Sequence, residues 1–490
     1  MPNQLSARTS LPERQFARYV LPSMFTMLLT GFYAIVDGFF IGRATGDVGL
    51  AAINIAWPIT AVIMAAGTGI GVGGSILMSL LKGQGEHTAA RRAKTLTLLL
   101  LLGASFLVMA LFLCCYRPLL RLLGAQGAVM DAAADYARVV IWGSILQIMG
   151  CGAAPVLRNS GRTFAAMFSM VAGLVVNILL DWLFVMVFRW SLTGAALATV
   201  TAQGVVAAIV LALLAAAGKK DGGERGVLRG LFARRSPSEG VQGDFGWMTC
   251  RILTIGLSPF GLSLAPNVIL IFNNLQCLRY GGDSAVAAYA VITYLAAPAQ
   301  LLLQGVGDGV QPLISFCRGA GERGQMKELM KKSFWLSMAI ALLFTLAGVL
   351  GRSLFPALFG TTPQAQALIE RGLVIYSMGF VFVGVVRLLS AYFYACAHTG
   401  VSTVLIYADP LLLSPLLLVL LPMLWELDGV WAAFPAAQLL LAAMAGLFYL
   451  RDSRSELHKP PLSKESPEAP EGSQPVSPHA PDQSSRTGGM

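Results

Sequence analysis

Asn177 and Asp181 stand four residues apart inside the apolar run "MFSMVAGLVVNILLDWLFVMVF". On a helix that spacing stacks both side chains on one face, one turn apart. A carboxylate in hydrocarbon is costly unless it faces an aqueous cavity or a partner group. A second acid, Asp37, interrupts the apolar run that follows Pro22, and neither acid has a basic partner within its own run. Burial strengthens a carboxylate's hold on its proton, and a second carboxylate nearby strengthens it further. Asp37 and Asp181 together can trade a proton near neutral pH, or share a monovalent cation with the Asn177 amide oxygen. Thr199, in the next run, offers a hydroxyl to the same set. The competing reading is a pair of carboxyl groups kept protonated for packing alone. Tyr33 shares the helix face of Asp37 and is a candidate for the cavity lining, or else a core aromatic.

The elements that must position these residues cross a membrane. The chain of 490 residues is 56% hydrophobic and only 12% charged, against roughly 25% charged in soluble globular proteins. Apolar runs of about 18 residues or more recur, each long enough for a bilayer core of roughly 30 Å. Twelve spans are expected, near 16–41, 50–81, 94–115, 132–154, 164–188, 191–217, 249–275, 285–316, 332–351, 367–394, 402–424 and 429–450. With the N-terminus in the cytoplasm, 26 of the 35 basic residues fall on the inner side and 6 on the outer. The net charge of +10 is therefore a topology signal under the positive-inside rule, with no nucleic-acid partner implied. Both termini are expected in the cytoplasm of a multi-pass plasma-membrane protein, a bacterial inner-membrane one, with lipid as its surroundings and no removable signal peptide.

The two halves repeat. "LPSMFTMLLTGFYAIVD" opens the first and "LSPFGLSLAPNVILIFNN" the second, with Pro22 and Pro259 each followed, fifteen positions on, by a polar residue, Asp37 or Asn274. "GDVGLAA" matches "GDSAVAA", "GIGVG" matches "GVGDG", "KGQGE" matches "RGAGE", and "WSLTGAALATVTAQ" matches "WELDGVWAAFPAAQ", all in order. Six spans per half leave the halves in the same orientation, related by a pseudo-twofold axis along the membrane normal. The expected fold class is thus an all-α polytopic membrane protein of twelve transmembrane helices in two six-helix lobes. The expected divisions are a cytoplasmic N-terminus (1–15), a first lobe (16–217), a cytoplasmic inter-lobe loop (218–248), a second lobe (249–450) and a tail (451–490). The tail is rich in Pro, Ser and charge and is expected to be disordered.

The glycines at 69, 71 and 73 and at 305, 307 and 309 follow no strand, so they read as close helix approaches and not as a phosphate loop. Pro22 and Pro259 each remove a helical hydrogen bond and are expected to mark bends, with Pro22 placed to link Asp37 to a change of shape. Asn274 is a candidate cavity-lining residue in the second half. Asp308 and Arg387 are expected to neutralise each other there, and span eleven offers no clear counterpart to the polar pair of span five. The seven cysteines lack metal-ligand spacing and read as small hydrophobes. With no Walker loop, no "HExxH" and only four histidines, nothing points to an enzyme, a resident metal or a cofactor. A gradient or a partner chain must supply the energy.

The segments "VDGFFIGRATGDVGLAAINIAWP", "LRNSGRTFAAMFSMVAGLVVNILLDWLFVMVFRWSLTGAALATVTAQ", "GGDSAVAAYAV" and "GVGDGVQPLIS" resemble the multidrug and toxic compound extrusion (MATE) family. The resemblance covers about residues 12–450. It implies two six-helix lobes in a V around a central cavity, a monomer, and export of amphipathic, often cationic small molecules against inward flow of H+ or Na+. It places the ion-coupling site, with a possible Na+, on Asp37, Asn177, Asp181 and Thr199, and the coupled bend at Pro22. Some members carry an acid in span seven where this chain has Asn273 and Asn274, so coupling is expected in the first lobe. The alternative within the superfamily is a flippase for a lipid-linked or polysaccharide precursor, whose cavity should be strongly cationic.

Overall fold

The computed structural model describes residues 13–220, 244–359 and 363–456, and among the described residues every regular element is a helix. Three elements each carry parts of two crossings: Glu13–Gly83 holds spans one and two, Phe245–Ala320 spans seven and eight, and Ser414–Glu456 the end of span eleven with all of span twelve. A straight helix of 76 residues would measure about 114 Å, several times the bilayer core. It is kinked at Gly282 (φ 62°, ψ −159°), a backbone conformation open to a residue without Cβ. Non-helical backbone at Trp425 (φ −130°, ψ 19°) and Glu426 (φ 47°, ψ −127°) likewise divides the helix of Ser414–Glu456. With the single-span helices between them, these give twelve crossings in two lobes of six.

Spans four and ten are each broken. Gly127–Trp142 meets Ser144–Asn159 at 56°, and Gln364–Ser377 meets Gly379–Ala395 at 41°. Several helices overrun the hydropathy limits, as His87–Leu122 does against an expected 94–115, because hydropathy marks only the stretch in contact with hydrocarbon. Phe106, Leu107, Leu111, Leu342 and Leu343 face outward, a surface that only lipid would cover favourably.

The last helix also outruns its expected end. It continues to Glu456, into the stretch whose composition reads as tail, because Asp452 has tertiary partners. Tyr392 Oη donates to Asp452 Oδ2 at 2.9 Å, and His398 Nδ1 lies 3.4 Å from Asp452 Oδ1. The remainder of the tail, most of the inter-lobe loop and the first twelve residues lie outside the described residues.

The lobes pack on each other through the two glycine motifs, as the small-residue reading anticipated. A Cβ on Gly69 would come within 2.9 Å of the Gly256 carbonyl oxygen in span seven, and one on Gly305 within 2.6 Å of Met24 Cα in span one. Gly71 and Gly307, the central glycines, instead press on span four and span ten of their own lobes, at Gly152 and Ala391. Each lobe's motif thus meets the opening helix of the other lobe, as a twofold axis requires. Beside this seam a buried polar chain crosses between lobes. Asn159 Nδ2 donates to Ser79 Oγ (3.2 Å) and to Gln311 Oε1 (3.3 Å), Gln311 Nε2 to Ser315 Oγ (3.0 Å), and Ser315 Oγ to the Ala395 carbonyl (2.9 Å). Helix ends bearing basic residues gather at this end of the molecule, where Arg251 reaches the Ala397 carbonyl and Arg318 approaches His398.

Candidate functional site

Span five is the helix Thr163–Asp181, continued by a π-helical turn over Trp182–Val187. It runs antiparallel to Ser191–Lys220, with Gly173 against Ala202 and Val206 and Phe184 against Gly194. That register puts Asn177 level with Thr199. Asn177 and Asp181 are fully buried and Thr199 nearly so, at 7% exposure. Among the described residues, Asn177 has no hydrogen-bond partner for its amide oxygen or its amide nitrogen, and neither has the Thr199 hydroxyl. A turn beyond Thr199, the Gln203 amide oxygen is also unpartnered. Leaving a buried polar group unsatisfied costs about 1–3 kcal/mol, so these groups on two facing helices have acceptor and donor capacity to spare for water or an ion. π-turns such as the one after Asp181 recur at functional sites. The backbone of Asp37 and Tyr33 is helical within Glu13–Gly83, and their side chains lie outside the described residues.

Pro22 lies inside the first helical element, Glu13–Gly83, in the part that forms span one. Having no N–H, it leaves the carbonyl of Arg18, four residues back, without its helical donor. The Thr163 hydroxyl fills that vacancy at 2.8 Å. Span one is thereby tied to the first residue of the helix that carries Asn177 and Asp181. Pro22 and Pro259 share a second detail, since their own carbonyls accept from Thr26 (2.8 Å) and Ser263 (3.0 Å).

The second lobe contains an open cavity of about 320 Å3 whose polar lining includes Asn267, Gln300, Gln304, Arg387, Asp409 and Gln438. Asn274 is half-buried and outside this lining. The expected neutralisation of Asp308 by Arg387 is not a contact: no salt bridge within 4 Å joins them. Asp308 accepts instead from the Tyr394 hydroxyl at 3.1 Å, and Arg387 donates to Gln300 Oε1 at 3.3 Å. Both charges are held by neutral groups within reach, so each acts on the other only through space.

Sequence reasoning missed Asp409. It opens the π-helical turn Asp409–Leu413 that follows Thr399–Ala408, much as Asp181 precedes the π-turn of span five. Gly161 (φ 87°) and Ala397 (φ 58°) sit at equivalent left-handed turns before these helices, which fixes their alignment. In that alignment Asp409 falls at the place of Gly173, about 12 Å, or two turns, nearer the helix start than Asp181. A search for a counterpart at the height of Asp181 passes it by. The signal was the lone intramembrane "DP" of span eleven.

The MatE family model matches residues 22–183 and 262–417. The multidrug export protein MepA of Staphylococcus saprophyticus is 24% identical over 451 residues, covering 89% of this chain and 93% of that protein. MepA of Staphylococcus aureus is 23% identical over 445 residues with the same coverage. Among solved structures, a MOP superfamily transporter from Pyrococcus furiosus, for which reversed polarity of the binding pocket suggests a different function, superposes with a TM-score of 0.81 at 22% identity, covering 92% of this chain and 98% of that one. An outward-facing multidrug resistance MATE family transporter gives the same TM-score, identity and coverage. A Vibrio cholerae MATE transporter gives 0.78 at 22% identity, with 90% and 97% covered.

Proposed function

This chain belongs to the MatE family of transporters, and from that premise we propose that it is a secondary active efflux transporter for amphipathic compounds, cationic ones among them. Inward flow of H+ or Na+ drives it through the first lobe. Asp181 with Asn177 and Thr199 forms the coupling site, and Asp37 completes it from span one. The observation that carries this reading is the unpartnered set on Asn177 and Thr199 beside the buried Asp181. An amide oxygen, a hydroxyl and a carboxylate are hard oxygen donors suited to an alkali cation. A carboxylate alone suits a proton.

The seam of glycines and the chain from Ser79 to Ala395 close the end where basic residues gather. With that end in the cytoplasm, the structure is closed to the cell interior, the state in which substrate leaves and the driving ion enters. The Thr163–Arg18 hydrogen bond ties ion occupancy on span five to the position of span one. Export by MepA is what the related proteins' name states, and it supports the same direction of transport here.

The test is transport in inside-out vesicles with pH and Na+ gradients imposed separately. Asp181→Asn keeps the size of the side chain and removes its charge. It is expected to abolish gradient-driven accumulation while leaving the protein in the membrane at parent levels. Parent-like accumulation in that variant would defeat the coupling assignment.

A further inference from the structure

We propose that the second-lobe cavity is a binding site for the carboxylate of an amphipathic aromatic compound, with Arg387 as its anchor. The assignment goes beyond the efflux reading, which places the driving ion in the other lobe. The lining mixes aromatic and polar groups. Tyr289, Tyr376 and Phe434 contribute rings, the last two stacked with centroids 4.0 Å apart, and Pro266, Leu270 and Leu301 add apolar surface. The polar part of the lining carries two opposite charges, Arg387 and Asp409.

A count of donors and acceptors decides which charge a ligand meets. Asp409 accepts one hydrogen bond at each oxygen, from Ser414 Oγ to Oδ1 at 2.6 Å and from Gln438 Nε2 to Oδ2 at 2.8 Å, which uses about half of a carboxylate's acceptor sites and fixes its orientation. Asp308, the other acid of the lobe, is held by the Tyr394 hydroxyl and screened from direct contact with Arg387. Arg387 has five N–H groups in a planar fork and spends one of them, on Gln300 at 3.3 Å. No carboxylate of the described residues lies within salt-bridge distance of it. The remaining donors line a concave space with aromatic walls. A guanidinium fork matches a carboxylate in two parallel hydrogen bonds, and such bonds strengthen where water is excluded. The volume of about 320 Å3 admits two or three fused or linked rings. A compound with only a cationic head would bring its charge against Arg387.

The experiment uses the full chain in phosphatidylcholine nanodiscs and calorimetric titration with three probes of one shape: 4-biphenylcarboxylate, its methyl ester and 4-biphenylmethylammonium. Empty nanodiscs supply the partition background. The carboxylate is expected to bind about tenfold or more tightly than either of the others. Arg387→Gln should remove that preference and leave the ester's affinity unchanged, and Arg387→Lys should keep part of it, because a point charge remains without the fork. Ala297→Trp fills the cavity while keeping Arg387 and should weaken all three probes, which covers the case in which the glutamine variant does not fold. Asp181→Asn should leave the preference intact, so failure of the first-lobe coupling site and failure of this site are told apart. Equal binding of the three probes to the parent, or a carboxylate preference that survives Arg387→Gln, overturns the proposal.

Discussion

Replacing Asn159 by alanine should open the end of the molecule that the structure holds closed. Asn159 Nδ2 makes two hydrogen bonds, to Ser79 at 3.2 Å and across the lobes to Gln311 at 3.3 Å. Both are at the long end of the range, so each is worth about 0.5–1 kcal/mol net, and the loss leaves the buried Gln311 Oε1 without a donor at a cost of about 1–3 kcal/mol. Against this, the Asn159 Oδ1 atom has no partner among the described residues, and its removal returns about 1 kcal/mol. The balance disfavours the closed state by about 1–4 kcal/mol. In the state with the lobes apart the same groups are hydrated and nothing is lost. At 1.4 kcal/mol per tenfold, the closed-to-open ratio should fall at least about 5-fold, and up to several hundredfold at the upper end. Spin labels at Glu86 and Glu322, both exposed and on opposite lobes at the basic end, report the separation by double electron–electron resonance once the exposed Cys114 and Cys250 are replaced. A longer-distance population should grow in the variant, and Ser79→Ala, which removes one bond within the first lobe, should produce less of it. A distance distribution identical to the parent's would refute the reasoning, because it would mean that the polar chain does not hold the lobes together.

Gly305→Val places a side chain where a Cβ alone would lie 2.6 Å from Met24 Cα. It should destabilise the closed state by about 1–3 kcal/mol and lower the thermal midpoint in detergent, whereas Gly103→Val, at an open position of His87–Leu122, should change it little. Pro22→Ala restores an N–H that competes with Thr163 for the Arg18 carbonyl, so it should weaken the link between ion gradient and substrate flux more than it weakens substrate binding at fixed pH. Pro259→Ala is the control in the other lobe, and equal losses of coupling in both variants would argue for symmetric lobes. Tags placed in residues 221–243 and after Glu456 should both resist an impermeant reagent applied to intact cells, and labelling of either from outside would overturn the assigned orientation.

Several features follow from the sequence alone, and each has a local cause. Composition and the length of the apolar runs require a polytopic helical protein, because backbone polar groups in hydrocarbon must be satisfied within each segment. Ordered matches between the halves require two lobes in one orientation, and the spacing of Asn177 and Asp181 puts them on one helix face whatever surrounds the helix. The glycine triplets were also legible as contact points, since small residues at regular helical spacing serve little else in an apolar span. Other features depend on which helices become neighbours, and no local pattern encodes that. The register of span five against span six brings Thr199 level with Asn177 and leaves both without hydrogen-bond partners among the described residues. Pro22 matters through a carbonyl that a hydroxyl of a distant helix fills, a pairing invisible in the sequence around either residue. Asp308 and Arg387 looked complementary by charge, but Tyr394 and Gln300 reach them first, and a hydrogen bond needs a donor in place more than it needs an opposite charge in the same lobe. Asp409 escaped a comparison of the halves because the lobes carry their acids at different depths of matching helices. A hydropathy repeat constrains which residues face lipid. The polar contents of each lobe's interior are set by tertiary packing, and there the two lobes have diverged.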